Sequence, residues 1–401
     1  MGLLAFGGWR RIARRNVHLD AEKRQFVAQI EAVARAARAD RQAYLSWEGH
    51  RELRVSAIVD ESHGVKSFYL TDPEGQSLPS YEPGQYLTCH FDTAEGEKPL
   101  VRCYSLSDRP REEYYRLTVK RSDPPDDLPD APPGRASNRL HRMTVGDAFR
   151  AAAPRGEFFL DPRRSDPLVL VAGGIGVTPL LSMIAALVHA GDDREVYFFY
   201  SVRNSSEHPL REQLAELVAD NSHIHTFVAY TQPLQSDQPF IDYHHGSRIT
   251  VDYLRQVLPT GRFDYYLCGP GEMMQSLVEG LLDQGVPDDR ILYEAFGPSS
   301  VQRASTAKAE TSANLHGQPQ IRFASSHQEA EWDDQCSSLL ELIEQAGVAI
   351  DAGCRAGSCG MCATRVLDGE FTTVKPSGAP LPEGHCLACI SVPTSPLVLE
   401  L

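Results

Sequence analysis

The stretch Leu168-Val-Leu-Val171-Ala-Gly173-Gly174-Ile-Gly176-Val-Thr178-Pro179 runs from an apolar segment through three glycines into a helical run, Leu180–His189. An uninterrupted apolar run of this kind reads as a strand buried on both faces, which a parallel sheet requires. The glycines let backbone come close to an anion such as a pyrophosphate, and the helix behind them offers its N–H groups. The spacing is not the standard G-x-G-x-x-G, so the loop gains its weight from its place between strand and helix. Towards the C terminus the alternation continues through Val196–Ser201, Leu210–Val218, Ile224–Ala229, Tyr265–Cys268 and Met273–Leu282. This predicts an α/β doubly wound sheet over residues 164–298. Cys268-Gly269-Pro270 ends one later strand, and Ser201 and Arg203 end the second, where ligands gather in such sheets. Arg203 has the charge to hold a 2′-phosphate, and as a plain reading is a solvated surface arginine.

Upstream the texture differs. Leu53–Val59, Phe68–Thr71, Tyr86–Phe91, Arg102–Leu106 and Tyr115–Lys120 are short β-like runs separated by Gly, Pro and Asp. Closely spaced strands predict a barrel over 51–163. Within it, Arg102-Cys-Tyr104-Ser105-Leu-Ser107 offers a guanidinium fork for phosphate, a flat aromatic face and a hydroxyl on one strand. Pro133-Gly134-Arg-Ala136-Ser137-Asn-Arg-Leu140 places Gly and Ser before a helical stretch, an N-cap signal and a ready anion site. Tyr81-Glu-Pro83-Gly84-Gln85-Tyr86 is a turn entering a strand.

Downstream, residues 299–317 are rich in Ser, Thr and Ala and read as a flexible linker. Residues 318–401 form a third domain with 11 acidic against 4 basic residues, a net −7. Five of the chain's nine cysteines fall within 354–389. An odd total with such clustering argues against a disulfide framework and for a metal site in a reducing compartment. Cys354-Arg-Ala-Gly-Ser-Cys359-Gly-Met-Cys362 is C-x4-C-x2-C, the plant-type spacing of a [2Fe–2S] cluster. Gly353, Ala356, Gly357, Ser358 and Gly360 let the loop wrap so that N–H groups point at sulfur. Cys386 and Cys389 compete for the fourth position, and four cysteines alone also admit zinc. Cys89, Cys103 and Cys336 are isolated and read as small buried hydrophobes.

Residues 1–20 interleave Arg10, Arg11, Arg14 and Arg15 with Leu3, Leu4, Phe6, Trp9 and Ile12. We read this as a leader, disordered or packed, in preference to a membrane-surface segment. Phe26, Ile30, Val33 and Ala37 share one face of a helix predicted over 21–45, within an N-terminal helical extension of residues 1–50. The chain carries a formal net charge of −15, without the basic footprint of a nucleic-acid binder. The apolar run at the N terminus is too short for a signal-peptide core, and no stretch reaches the ~20 residues of a membrane span. The expected location is the cytoplasm.

Taken together these motifs resemble the ferredoxin–NADP reductase superfamily. The likeness is closest to the reductase part of flavohaemoglobins, through Tyr115-Arg-Leu-Thr-Val-Lys-Arg121, Gly134–Leu140 and Tyr293-Glu294-Ala-Phe296-Gly297-Pro298. The third domain is similar to a plant-type ferredoxin. The resemblance implies an antiparallel β-barrel flavin domain, an α/β nucleotide domain and an α+β (β-grasp) iron–sulfur domain. It implies FAD, because the G-x-x-S-x-x-L form at Gly134–Leu140 is typical of FAD-binding members, held by Arg102, Tyr104, Ser105, Val119, Lys120, Gly134, Ala136 and Ser137. Phe296 would stack on the isoalloxazine. NADH or NADPH would lie on Gly174, Gly176, Thr178, Pro179, Ser201, Arg203, Cys268, Gly269 and Pro270. Ser105, Cys268, Glu294 and Phe296 would form the hydride-transfer pocket, Cys268 by geometry and not covalently. The cluster ligands would be Cys354, Cys359, Cys362 and Cys389, the last in a Leu-x-Cys segment before a C-terminal strand at Thr394–Leu401, which sets zinc aside.

The implied activity is an NAD(P)H:acceptor oxidoreductase. Hydride passes to flavin, then single electrons pass to the cluster and an external protein, with the protein supplying binding and orientation. The linker would let the cluster domain swing between flavin and partner. The expected acceptor is an oxygenase, demethylase or desaturase component. Alternatives are the reductase of a hybrid-cluster protein, an NO dioxygenase-type activity, for which an extension of about 50 residues is too short to hold a haem-binding globin, and a redox sensor or assembly subunit with little turnover.

Overall fold

The computed structural model describes residues 47, 49–93, 100–124, 133–296, 319–333, 336–350, 352–353, 355, 357, 360–374 and 381–401. The expected leader, the helix over 21–45, the linker over 299–317, Cys354 and Cys359 lie outside them, as do the side chains of Ala295 and Phe296.

The first sheet is built from β1 (His50–Ser62), β2 (Val65–Thr71), β3 (Tyr86–Phe91), β4 (Leu100–Ser105), β5 (Tyr115–Lys120) and β6 (Ala148–Arg155), in the order β4-β3-β6-β1-β2-β5. Every neighbouring pair is antiparallel. The two edges meet. Leu106, just past β4, bridges Leu117 on β5, and the Ser107 N–H donates to the Arg116 carbonyl at 2.9 Å. The sheet thus curls into a barrel, which removes its free edges. Leu53 and Val55 on β1, Phe68 and Leu70 on β2, and Leu87, Cys89 and Phe91 on β3 alternate into its core. Helix α1 (Arg135–Arg142) lies against β4 and β5. Its N-cap is Gly134, and Ser137 sits one turn inside, where its Oγ–H donates to the Gly134 carbonyl (3.3 Å) and its Oγ accepts the Ser122 N–H (3.1 Å). The Gly-and-Ser signal therefore marked the helix start, with glycine as the cap.

The second sheet is wholly parallel. It comprises β7 (Leu168–Gly173), β8 (Val196–Val202), β9 (Ile224–Tyr230), β10 (Asp264–Pro270) and β11 (Ile291–Phe296), ordered β11-β10-β7-β8-β9. The order reverses between β7 and β10, so the crevice at their C-terminal ends is the switch point where ligands bind in such sheets. Helices α2 (Val177–Ala190) and α3 (Arg211–Ala219) belong to the core on one face. Helices α4 (Val251–Val257) and α5 (Gly271–Asp283) belong to the core on the other. All six residues of β7 are buried, as its uninterrupted apolar run requires.

The third sheet, β13-β12-β18-β14-β16, contains β12 (Gln320–Phe323), β13 (Gln328–Glu331), β14 (Ala363–Asp368), β16 (His385–Leu387) and β18 (Leu397–Leu399). The pair β12–β18 is parallel and the others antiparallel. A small ribbon joins β15 (Phe371–Thr373) to β17 (Ser391–Pro393). Helix α6 (Leu339–Gln345) buries Leu339, Leu340, Leu342 and Ile343, an i, i+1, i+3, i+4 stripe, into the core they share with Cys362, Cys389 and Ile390.

Candidate active site

Two glycines give the crevice its shape. A Cβ on Gly176 would lie 2.2 Å from the Cys268 carbonyl oxygen and 2.8 Å from Gly269 N. The loop after β7 and the end of β10 therefore touch backbone to backbone. Gly174, at φ +53°, has open space where a Cβ would stand. That bare, concave backbone is the cradle a pyrophosphate needs. Thr178 and Pro179 are buried in the first turn of α2, and the Thr178 Oγ–H donates to the Ile175 carbonyl at 3.0 Å, holding the loop closed.

The barrel docks on this crevice through buried polar contacts. Ser182 on α2 and Tyr81 in the barrel both donate to the Asp108 carbonyl, at 2.6 and 2.7 Å. Buried Arg116 donates to Ser107 Oγ (3.0 Å) and to Gln213 on α3 (2.6 Å). Bonds of this sort are costly to break because each leaves a desolvated group unmatched, so the mutual placement of the two domains is well determined.

That docking brings Ser105, at the end of β4, to Glu294 on β11. The Ser105 Oγ–H donates to Glu294 Oε2 at 3.5 Å across 189 residues of sequence. Glu294 pairs with Cys268 on the adjacent strand β10. Burial, and then the Glu294 carboxylate, push the Cys268 thiol well above its ordinary range. At neutral pH it is a thiol, a poor nucleophile, consistent with a shaping role. Phe296 follows two residues after Glu294, with its backbone beside Pro270.

On the barrel side, Tyr104 is half-buried, and desolvation pushes its phenol up. Arg102 is exposed on the same strand, and its Nη1 donates to the Ala352 carbonyl of the third domain at 3.3 Å. An exposed guanidinium, an aromatic face, a hydroxyl and the Gly134 end of α1 form a donor set suited to the phosphates and ring of a flavin dinucleotide. Val119 is buried, and its carbonyl takes a hydrogen bond from the His141 ring at 2.8 Å. The Lys120 ammonium reaches Glu207 (3.1 Å), which also holds Arg203 (3.3 Å). Ser201 lies opposite Gly173 on β8. The charge triad around Glu207 did not emerge from the sequence, although an acid just past the second strand was the signal available.

In the third domain Cys362 and Cys389 face each other, with sulfurs 3.1 Å apart and the Cys389 N–H donating to Cys362 Sγ at 3.5 Å. Two thiolates on one tetrahedral centre with bonds of ~2.3 Å sit about 3.8 Å apart, so a small opening fits this pair to one metal. Before them, Arg355 (φ +54°) and Gly357 (φ +78°) both have left-handed backbone. Glu344 on α6 clamps the Arg355 guanidinium. Cys386 is buried on β16, and burial, then the neighbouring Cys362, push its thiol up to about 12.

Three family models match in chain order: an oxidoreductase FAD-binding domain over 52–160, an oxidoreductase NAD-binding domain over 170–279 and a 2Fe-2S iron-sulfur cluster binding domain over 321–394. The chain belongs to the ferredoxin reductase-like flavoproteins. Its fold is theirs, with a flavin barrel, a nucleotide domain and an iron–sulfur domain. It carries oxidoreductase domains for FAD and a nicotinamide dinucleotide and a domain for a [2Fe–2S] cluster. Phthalate dioxygenase reductase superposes with a TM-score of 0.52 at 26% identity, over 88% of this chain and 98% of its own. The flavohem-like FAD/NAD binding domain of nitric oxide dioxygenase from Vibrio cholerae gives 0.55 at 32% identity, over 62% of this chain and 99% of that domain. Flavohemoproteins from Halalkalibacterium halodurans and Rhodopirellula baltica are 37% and 39% identical over 66% and 63% of this chain. The chain spans 64% and 62% of those two proteins' lengths. Among the described residues no helix is long and apolar enough to cross a membrane.

Proposed function

We propose that this reductase takes a hydride from NAD(P)H and hands electrons singly, through FAD and then the [2Fe–2S] cluster, to a separate protein, an oxygenase-type component. When bound, the flavin and cluster supply the conversion of a two-electron donor into one-electron steps. The chain's own residues do the positioning. Gly174 and Gly176 seat the dinucleotide at the switch point, with Thr178 fixing the loop. Ser105, Glu294 and Cys268 would line the reacting side of the flavin, and Arg102 and the Gly134 end of α1 would hold its phosphates. Cys354, Cys359, Cys362 and Cys389 hold the cluster.

The observation that carries this reading is the approach of Ser105 on the barrel to Glu294 and Cys268 on the nucleotide sheet. It brings the end of β4 to the ends of β10 and β11, which supports a flavin site adjoining the nucleotide crevice. An oxygenase-type acceptor is supported by the domain set shared with phthalate dioxygenase reductase over almost its whole length. The acidic third domain suits a basic partner surface.

The test compares two acceptors. Ferricyanide draws electrons from the flavin directly, whereas cytochrome c needs the cluster. Wild type is expected to reduce both, and Cys389→Ser to reduce ferricyanide alone. Equal cytochrome c rates in the two proteins would overturn the proposed electron path.

A further inference from the structure

The pyrophosphate cradle at Gly174 lies at the end of β7, and β8 is its neighbour, with Ser201 in register with Gly173. A dinucleotide seated there places its adenosine ribose over the end of β8, at residues 203–207. In such sheets an acid at that point bonds the ribose 2′-hydroxyl of NADH, and an arginine accommodates the 2′-phosphate of NADPH. This chain has both, and they are bonded to each other.

Arg203 donates from Nη1 to Glu207 Oε1 at 3.3 Å, and Lys120, reaching across from the barrel, donates to Oε2 at 3.1 Å. The carboxylate is only 20% exposed, whereas Arg203 is 59% exposed. Partial burial works against its charge, but Lys120 and Arg203 hold the Glu207 carboxyl below its ordinary range. The turn that carries it is fixed from three sides. Asn204 Oδ1 accepts the Ser206 N–H (3.1 Å) and hydroxyl (2.7 Å). The Ser205 hydroxyl donates to Asp237 (2.5 Å). The His63 N–H of the barrel donates to the Ser206 carbonyl (3.0 Å). Glu207 is therefore a preplaced anion with its strongest donors already engaged.

We propose that Glu207 makes this reductase selective for NADH, by accepting the ribose hydroxyl while occupying the arginine that a 2′-phosphate would need. A carboxylate has about four acceptor positions, so each oxygen retains one for a hydroxyl donor. A phosphate dianion has no proton to donate there, and meets a second anion on the same guanidinium. Glu207 of the turn, Asp237 bonded to it and Asp242 beyond balance Lys120, Arg203 and Arg211, so the patch offers no net attraction to a dianion.

This inference rests on the reductase reading, and the experiment separates the two. Ferricyanide reduction by the FAD-loaded holoprotein gives kcat/KM for NADH and NADPH. Calorimetry gives binding of AMP and of adenosine 2′,5′-bisphosphate. Wild type is expected to favour NADH. Glu207→Gln should shift the NADH/NADPH ratio towards NADPH by at least about tenfold, or about 1.4 kcal/mol, mainly through the KM for NADPH. It should also tighten adenosine 2′,5′-bisphosphate binding relative to AMP. Arg203→Ala added to Glu207→Gln should remove that gain for NADPH and for the bisphosphate. A wild type that uses NADPH at least as well as NADH, or a ratio and bisphosphate affinity unmoved in Glu207→Gln, overturns the inference alone. Oxidation of neither dinucleotide overturns the reductase reading and this inference with it.

Discussion

Replacing Gly176 by alanine probes a backbone-to-backbone contact at the dinucleotide crevice. The new Cβ would meet Cys268 O at 2.2 Å, Cys268 C at 2.5 Å and Gly269 N at 2.8 Å, all backbone atoms that cannot rotate away. To restore an ordinary contact of ~3.4 Å, the loop and the end of β10 must separate by about 1 Å. Overpacking of this kind costs about 1–3 kcal/mol of stability, and a misplacement of ~1 Å at a reacting pair costs about 100-fold in rate. Because Cys268 pairs with Glu294, the displacement passes straight into the proposed hydride-transfer pocket. Gly174→Ala is the contrast. Its Cβ meets nothing in the protein, so its intrinsic cost is the left-handed backbone, about 1–2 kcal/mol, and its main effect is a raised KM where the dinucleotide belongs. Stopped-flow bleaching of the flavin by NADH, with thermal melts alongside, reads both. Wild-type bleaching and an unshifted Tm in Gly176→Ala would refute the reasoning.

Cys362→Ser and Cys389→Ser should each abolish the low-temperature [2Fe–2S] EPR signal, whereas Cys386→Ser should keep it; loss of signal in Cys386→Ser with retention in Cys389→Ser would reassign the ligand. Ser105→Ala removes a single donor to the pocket, about 1.5 kcal/mol, so flavin reduction should slow roughly tenfold with FAD content and KM for the dinucleotide little changed; stopped-flow traces and bound-FAD absorbance measure it. Burial, then Arg211, push buried His208 down to about 4, with Asp242 opposing. The unfolded chain takes up that proton near pH 6.5, so stability is full above about 6.5 and falls, by up to about 3 kcal/mol, as pH drops towards 4. Denaturant melts of His208→Gln across that window should be flatter than wild type.

Much of the architecture was legible because its signals are local. The apolar run before Gly173, the glycines and the helix behind them lie within a dozen or so residues, and the structure sets them on β7 and α2. The barrel strands around Leu53, Phe68 and Tyr115 alternate or run apolar, and they were found. Strand β6 was not, because Ala148–Arg155 is alanine-rich, and alanine favours helix and is depleted in strands; pairing with β1 and β3 makes it a strand. The same holds for α4, seven residues whose single buried Leu254 gives little periodicity. Ser137 drew the eye as a cap, yet a serine one turn into a helix can bond back to the cap carbonyl, and glycine took the cap itself. Among the site residues, Ser105, Cys268 and Glu294 were named through resemblance. Their meeting depends on the docking of two domains by Asp108, Arg116 and Ser182, which no local pattern encodes. The Glu207 triad is not legible in the sequence for the same reason, since Lys120 reaches it from the other domain.

The central claim is that electrons pass from a nicotinamide dinucleotide through the flavin to the cluster in this chain. Anaerobic titration of the purified holoprotein, with NADH and NADPH separately, tests it by visible spectra and low-temperature EPR on the same samples. The account predicts prompt bleaching of the flavin, followed by a rhombic [2Fe–2S] signal, at lower concentration with NADH. Flavin bleaching with no iron–sulfur signal in the fully reduced protein would contradict it, and the cysteines around 354–389 would then belong to a redox-silent metal.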